Sequence, residues 1–288
     1  MNSYSRPSRA IPKLFCGLAL LAMVLILTGT VLAKTRRVKV AMCQIFCLDG
    51  DRSGNRARME RAVAEAKDGG AEIVCFPETA FLGWVNPEAH QRAFPIPGED
   101  SAFLCGLARG NNIFICAGLA EKEEDRLYDS VILIDDGGKI LMKHRKINIL
   151  EELMTPAYTS GQNVAAVETR FGRIGLLICA DTFQDDLLER MSALEPDMML
   201  VPYGWAAAEE QWPEHGNELK KVVVKAAFHI GAPVFGTDLV GEISHGPWTG
   251  LVYGGQSVAA DASGSILAVA CDRDREILIV AVELKDER

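Results

Sequence analysis

Three side chains with complementary chemistry stand just beyond apolar runs: Glu78 in FPE after IVCF, Lys146 in KHRKINIL after KILMK, and Cys179 at the end of FGRIGLLICAD. A thiol, a carboxylate and an ammonium suffice for covalent catalysis. The thiolate attacks, the carboxylate carries its proton, and the cation offsets negative charge as it develops. A free thiol has a pKa near 8.5, so only about 3% is thiolate at pH 7 and a base must stand near it. Each residue alone has a plainer reading. Most cysteines beside apolar strands fill the core, a lone Glu after a strand is usually solvated, and a Lys in a KHRK cluster is usually surface charge. What joins them is position: in α/β sheets reactive groups collect at the carboxyl ends of strands. A buried Glu and Lys would also offset each other's charge beside the thiol.

The elements that must position them follow from periodicity and punctuation. Val38 to Ile45 reads as a strand, and Arg56 to Asp68 as a helix burying Met59, Ala62, Val63 and Ala66, stopped by Gly69-Gly70. Ile73 to Phe76 is a short buried strand, Ser101 opens a helix to about Gly110, and Ile113 to Leu119 is a strand. Ser130 to Ile134 and Lys139 to Lys143 pair as a hairpin around DDGG. Ile174 to Ile178 leads into Cys179, and the helix LLERMSAL follows with Asp181 or Thr182 placed to cap it. MMLVP is a further strand, and a helix is expected from about Pro213 to His229. Four strands remain: Ala232 to Gly236, Gln256 to Ala260, Ser265 to Ala270 and Ile277 to Val282. Strands alternating with helices, then closing in hairpins without a low-complexity linker, predict one α/β domain with helices covering the sheets.

The first 33 residues differ in kind. Arg6, Arg9 and Lys13 precede an apolar run from Leu14 to Leu27, and TGTVLA ends at Ala33. That order describes a secretory signal peptide cleaved after Ala33; the alternative is an N-terminal membrane anchor through residues 14–33. Either way, residues 34–288 are expected to be exported from the cytoplasm. Removing Arg6, Arg9 and Lys13 takes the formal charge from −9 to about −12, which argues against nucleic acid or an anionic membrane as partner. Seven cysteines lie beyond the leader, an odd number in no close-set framework, so at least one thiol is unpaired. The five histidines show no paired-ligand spacing, and there is no Walker loop or G-x-G-x-x-G cradle. No metal site or cofactor is expected.

Taken in order, FPE with Glu78, HRKINIL with Lys146 and LLICAD with Cys179 resemble the nitrilase superfamily of carbon–nitrogen hydrolases. The similarity runs from VAMCQI through LYDSVILIDDGGKIL to GGQSVAADASGSILA and ILIVAVEL. It implies a four-layer α-β-β-α sandwich, a dimer or larger homo-oligomer, and Glu78, Lys146 and Cys179 as catalytic triad. It also implies the Ala180 backbone N–H as Lys146's partner at the developing negative charge. Relatives often carry a second, supporting glutamate after the lysine, for which Glu151 and Glu152 are both candidates. The chain departs from relatives at Asp129 (often Asn), at Thr237-Asp238 (often Asn-Arg), and at Ala180 (Tyr in many). No triad member is lost.

The activity implied is thiol hydrolysis of a small amide or carbamoyl compound through a Cys179 thioester. Glu78 moves the protons, and no cofactor takes part. Trp84, Tyr203 and Trp205 lie near the expected mouth as substrate contacts, Trp205 foremost because it follows the next strand end. A nitrile substrate is the alternative within the enzyme class. A catalytically silent binding or assembly module is the alternative outside it.

Overall fold

Strands covered on both faces need apolar residues at nearly every position, and this chain provides them. The computed structural model describes Met1 and residues 35–285; the expected leader lies outside the described residues. The chain begins with β1 (Thr35–Gln44), α1 (Arg52–Asp68) and β2 (Ile73–Cys75). A short helix α2 (Ala89–Arg92) and α3 (Glu99–Asn111) precede β3 (Phe114–Glu123), β4 (Arg126–Ile134) and β5 (Ile140–Arg145). Next come β6 (Ala166–Thr169), β7 (Gly172–Leu176), α4 (Asp185–Ser192), β8 (Met198–Pro202) and β9 (Ala206–Ala207). Then follow α5 (Gly216–Ile230), β10 (Val234–Thr237), β11 (Val240–Glu242) and β12 (Val252–Gly254). The chain closes with β13 (Val258–Ala260), β14 (Ile266–Val269) and β15 (Glu276–Lys285).

One sheet runs in the order β15-β1-β2-β3-β4-β5, the other in the order β14-β13-β10-β8-β7-β6. Their centres are parallel, with β1 beside β2 beside β3 in one and β7 beside β8 beside β10 in the other. Period-two alternation then sorts the side chains. Val40, Met42, Ile73 and Cys116 point between the sheets, where they meet Leu176, Leu200 and Phe235. Ala41, Val74 and Ile115 point the other way, into the layer with Met59 of α1 and Leu104 of α3. Leu188 and Met191 of α4 and Val223 and Ala226 of α5 cover the second sheet. The layers are therefore α-β-β-α.

Several details differ from the sequence expectation, among them the start of α1 at Arg52, the added α2 and β6, and the longer β3 and β4. Helix α4 follows Gln184, which makes no side-chain cap bond, and Cys179–Phe183 forms a separate 3-10 turn in which Asp181 is engaged elsewhere. Helix α5 starts at Gly216 rather than Pro213: His215 and Gly216 donate to the carbonyls of Gln211 and Pro213 in a preceding turn. A third sheet, β11-β12-β9, was not foreseen; strands of two or three residues are too short to show alternation.

The positions that matter are the ends of β2, β5 and β7. Beyond β2, Phe76 still donates to Cys116 of β3 and Pro77 accepts from Gly118, so the chain stays against the sheet up to Glu78. Gly118 permits this approach. A Cβ there would lie 2.7 Å from Glu78 Cα and from the Pro77 carbonyl.

Candidate active site

Glu78 is fully buried, and Lys146 and Cys179 are each 4% exposed. The Glu78 backbone N–H donates to the Tyr203 carbonyl beyond β8, which fixes the loop against the second sheet. Its carboxylate accepts from Lys146 Nζ at 2.6 Å and from Trp84 Nε1 at 3.1 Å, both on Oε1. Lys146 follows β5 directly. Its backbone is clamped on both sides, donating to Asp129 of β4 and accepting from Gly161. Asp129 Oδ2 lies 3.6 Å from the same ammonium. Burial alone would pull the Lys146 ammonium down, but the acidic groups around it, Glu78 foremost, push it well above the ordinary lysine range. Lys146 is a cation at neutral pH.

Cys179 has φ +40°, a left-handed conformation that costs a non-glycine residue about 1–3 kcal/mol and recurs at functional sites. The surroundings hold it there. Thr182 Oγ1 donates to the Cys179 carbonyl at 2.7 Å, and the Tyr203 phenol meets that hydroxyl at 2.9 Å. Burial pushes the thiol well above its ordinary range, and the Glu78 charge adds to this. Lys146 and the Gly204 N–H facing the sulfur oppose it without winning. The resting nucleophile is therefore a thiol, and a base must take its proton as it reacts.

Asp181 joins two of the three strand ends. Its Oδ1 accepts from the backbone N–H groups of Ile147 and Asn148 at 2.9 and 2.8 Å, just past the lysine. Its Oδ2 accepts from Ile178 N, just before the cysteine, and pairs with His144 Nε2 at 2.8 Å. Asn148 closes the bridge by donating to the Ala180 carbonyl. Burial would raise the Asp181 carboxyl, yet the His144 contact and these N–H groups hold it below the usual range. A group lowered in this way stabilises the fold above its unfolded pKa, and that contribution fades as pH falls through the folded value. Asp181→Ala is expected to lower unfolding stability by roughly 3–5 kcal/mol, the cost of removing one partner of a buried hydrogen-bonded pair. Urea denaturation at pH 7 measures it.

Residues 39–288 match the family model described as "Carbon-nitrogen hydrolase". The chain belongs to that family. Similar proteins include a nitrilase of Pyrococcus abyssi, 26% identical over 258 residues, covering 86% of this chain and 90% of the relative. An (R)-stereoselective amidase of Pseudomonas sp is 28% identical over 261 residues, covering 86% and 85%. Among solved structures, an amidase from Nesterenkonia sp. AN1 superposes with a TM-score of 0.73 at 20% identity, covering 86% of this chain and 90% of that one; it is described with the acetamide moiety of fluoroacetamide added covalently at its active site cysteine. The protein is thus an enzyme of the carbon–nitrogen hydrolase class with the fold of the nitrilase superfamily.

In this hydrolase Cys179 opens into a cavity of about 210 Å³ walled by Trp84, Leu150, Leu153, Phe183, Trp205 and Trp248. Trp205 lines the cavity, stacked on His215 with ring centroids 5.6 Å apart. Trp84 both walls the cavity and donates to Glu78. Tyr203 is a correction: it is fully buried, its hydroxyl is spent on Thr182, and it does not line the cavity. Glu151 and Glu152 are a second correction. They sit exposed on a one-turn 3-10 helix whose Leu153 is turned inward, so the solvent takes the carboxylates. Gly204 completes the wall, because a Cβ there would meet the Trp84 ring at 2.8 Å and Glu78 Oε2 at 3.1 Å. Sequence reasoning did not single out Leu150, Leu153, Phe183 or Trp248. The order L-x-x-L after the lysine was the one available signal, and it marks burial of one side of a turn.

Proposed function

We propose that the enzyme hydrolyses small uncharged primary amides with an apolar acyl group, through a thioester on Cys179. Glu78 takes the thiol proton as sulfur attacks the carbonyl carbon, and Lys146 with the Ala180 N–H stabilises the oxyanion. Glu78 then protonates the leaving ammonia. The C–N bond breaks and the acyl group remains on sulfur. Water next loses a proton to Glu78 and attacks the thioester, which releases the acid and restores the thiol.

The observation that carries the substrate class is the apolar wall. Its one imidazole, His215, is pushed below the ordinary histidine range by burial and is neutral at pH 7. Among the described residues the cation beside Cys179 is Lys146, and it is held by Glu78. A substrate carboxylate would therefore be buried without a counter-charge. Butyramide is expected to exceed succinamate in kcat/KM by about 100-fold or more, because such a charge costs about 3 kcal/mol. Ammonia release across a series of aliphatic, ω-carboxylated and carbamoyl amides measures it, and equal turnover of the carboxylated members would refute this substrate class. A nitrile is the second reading, favoured by the similarity to the Pyrococcus abyssi nitrilase, and butyronitrile belongs in the same series.

A further inference from the structure

Two carboxyl groups and one ammonium are closed together beside Cys179. Asp129 is 1% exposed, and its Oδ2 lies 3.6 Å from Lys146 Nζ while Glu78 takes the shorter contact at 2.6 Å. Among the described residues, neither Asp129 oxygen nor Glu78 Oε2 has a hydrogen-bond partner. The two carboxyls thus face one ammonium, and three of their four oxygens are buried without a hydrogen-bond partner among the described residues.

The other titratable groups bring no second cation. From β5, His144 faces Asp181. Asp181 itself is already satisfied by His144 and three backbone N–H groups. Tyr158, with a buried hydroxyl, and Asp238, whose Oδ1 accepts from Trp205 N, add no positive charge. Ionising both carboxyls would leave a net negative charge on buried groups, and like charges this close disfavour one another's ionised form.

We propose that Glu78 and Asp129 share one proton: Asp129 keeps it and donates it to Glu78 Oε2, while Lys146 and Trp84 hold Oε1. Asp129 is then a positioning residue that acts through Glu78. It fixes the carboxylate plane facing the thiol, and its own proton stays in place when Glu78 accepts the one from Cys179. Burial and the Glu78 charge both push Asp129 well above the carboxylate range, against a weaker pull from Lys146. This inference rests on the proposed role of Glu78 as base.

The test joins infrared spectroscopy with two variants. The difference spectrum of wild type minus Asp129→Asn at pH 7 is expected to show the carbonyl stretch of a protonated carboxyl group. Asp129→Leu, of similar size but without a donor, is expected to lose about 10- to 100-fold in kcat with KM unchanged, the size of one hydrogen bond to a charged group. Asp129→Asn keeps a donor and is expected to recover most of that loss. A carboxylate band in place of the protonated one overturns the proposal, as does an Asn variant that falls as far as the Leu variant. The band is read without turnover. It therefore decides the pair even if the amide reading fails or the Leu variant does not fold.

Discussion

Cys179→Ala is expected to lower amide hydrolysis by about 10⁴-fold or more, the scale seen when a covalent nucleophile is deleted from a site that works as a unit. No neighbour can replace it. Cys179 is the one thiol in the apolar cavity, and Glu78 cannot reach a thioester intermediate by another route. The fold should survive. Alanine tolerates the same backbone as well as cysteine does, the Cys179 carbonyl keeps its bond from Thr182, and only a sulfur atom leaves the wall. Ammonia release together with a thermal melt separates loss of chemistry from loss of structure. A variant that folds and retains a tenth of wild-type turnover would contradict the nucleophile assignment.

Glu78→Gln is the second large effect, expected at about 10²- to 10⁴-fold in kcat, the usual contribution of a positioned general base. The amide can still accept from Lys146 or Trp84, so the geometry is nearly kept and the proton acceptor is lost. The resting thiol makes this loss severe. Because burial holds Cys179 protonated, a site without a base has almost no thiolate to fall back on. KM should change little, since the cavity wall is apolar and Glu78 is not what holds the acyl chain. A fall in kcat at constant KM is the expected pattern. A rise in KM with unchanged kcat would assign Glu78 to binding instead.

Much of this site was legible in the chain because of where strands end. IVCF, KILMK and IGLLI announce strands by apolar runs, and the residue of interest follows each within a short turn. Packing of the two sheets, one carrying β2 and β5 and the other β7, then converts those sequence positions into neighbours in space. Helices covering the sheets were legible too, since strands apolar on both faces need cover on both, while the four-layer order was implied only by the resemblance to the nitrilase superfamily. What was hidden depends on loops, where no period connects residue to residue. Asp181 reads as a helix cap in sequence because it precedes an amphipathic helix; in the structure its carboxylate is taken by backbone N–H groups from the lysine loop. Glu151 and Glu152 were candidates because relatives often carry a second glutamate after the lysine, yet Leu150 and Leu153 win the buried side of that turn. Trp248 and Trp84 meet edge to face at 5.3 Å from distant loops, a contact that no local pattern encodes. Asp129 was visible as a departure from relatives, while its meaning depended on lying on β4 beside the lysine that follows β5.

The central claim is a covalent acyl intermediate on Cys179, and intact-protein mass spectrometry of an acid-quenched reaction tests it most directly. With excess butyramide the enzyme should gain the mass of one butyryl group, mapped by peptide digestion to Cys179 and absent in Cys179→Ala. Steady ammonia release with no adduct at Cys179, persisting in the Cys179→Ala variant, would contradict the account.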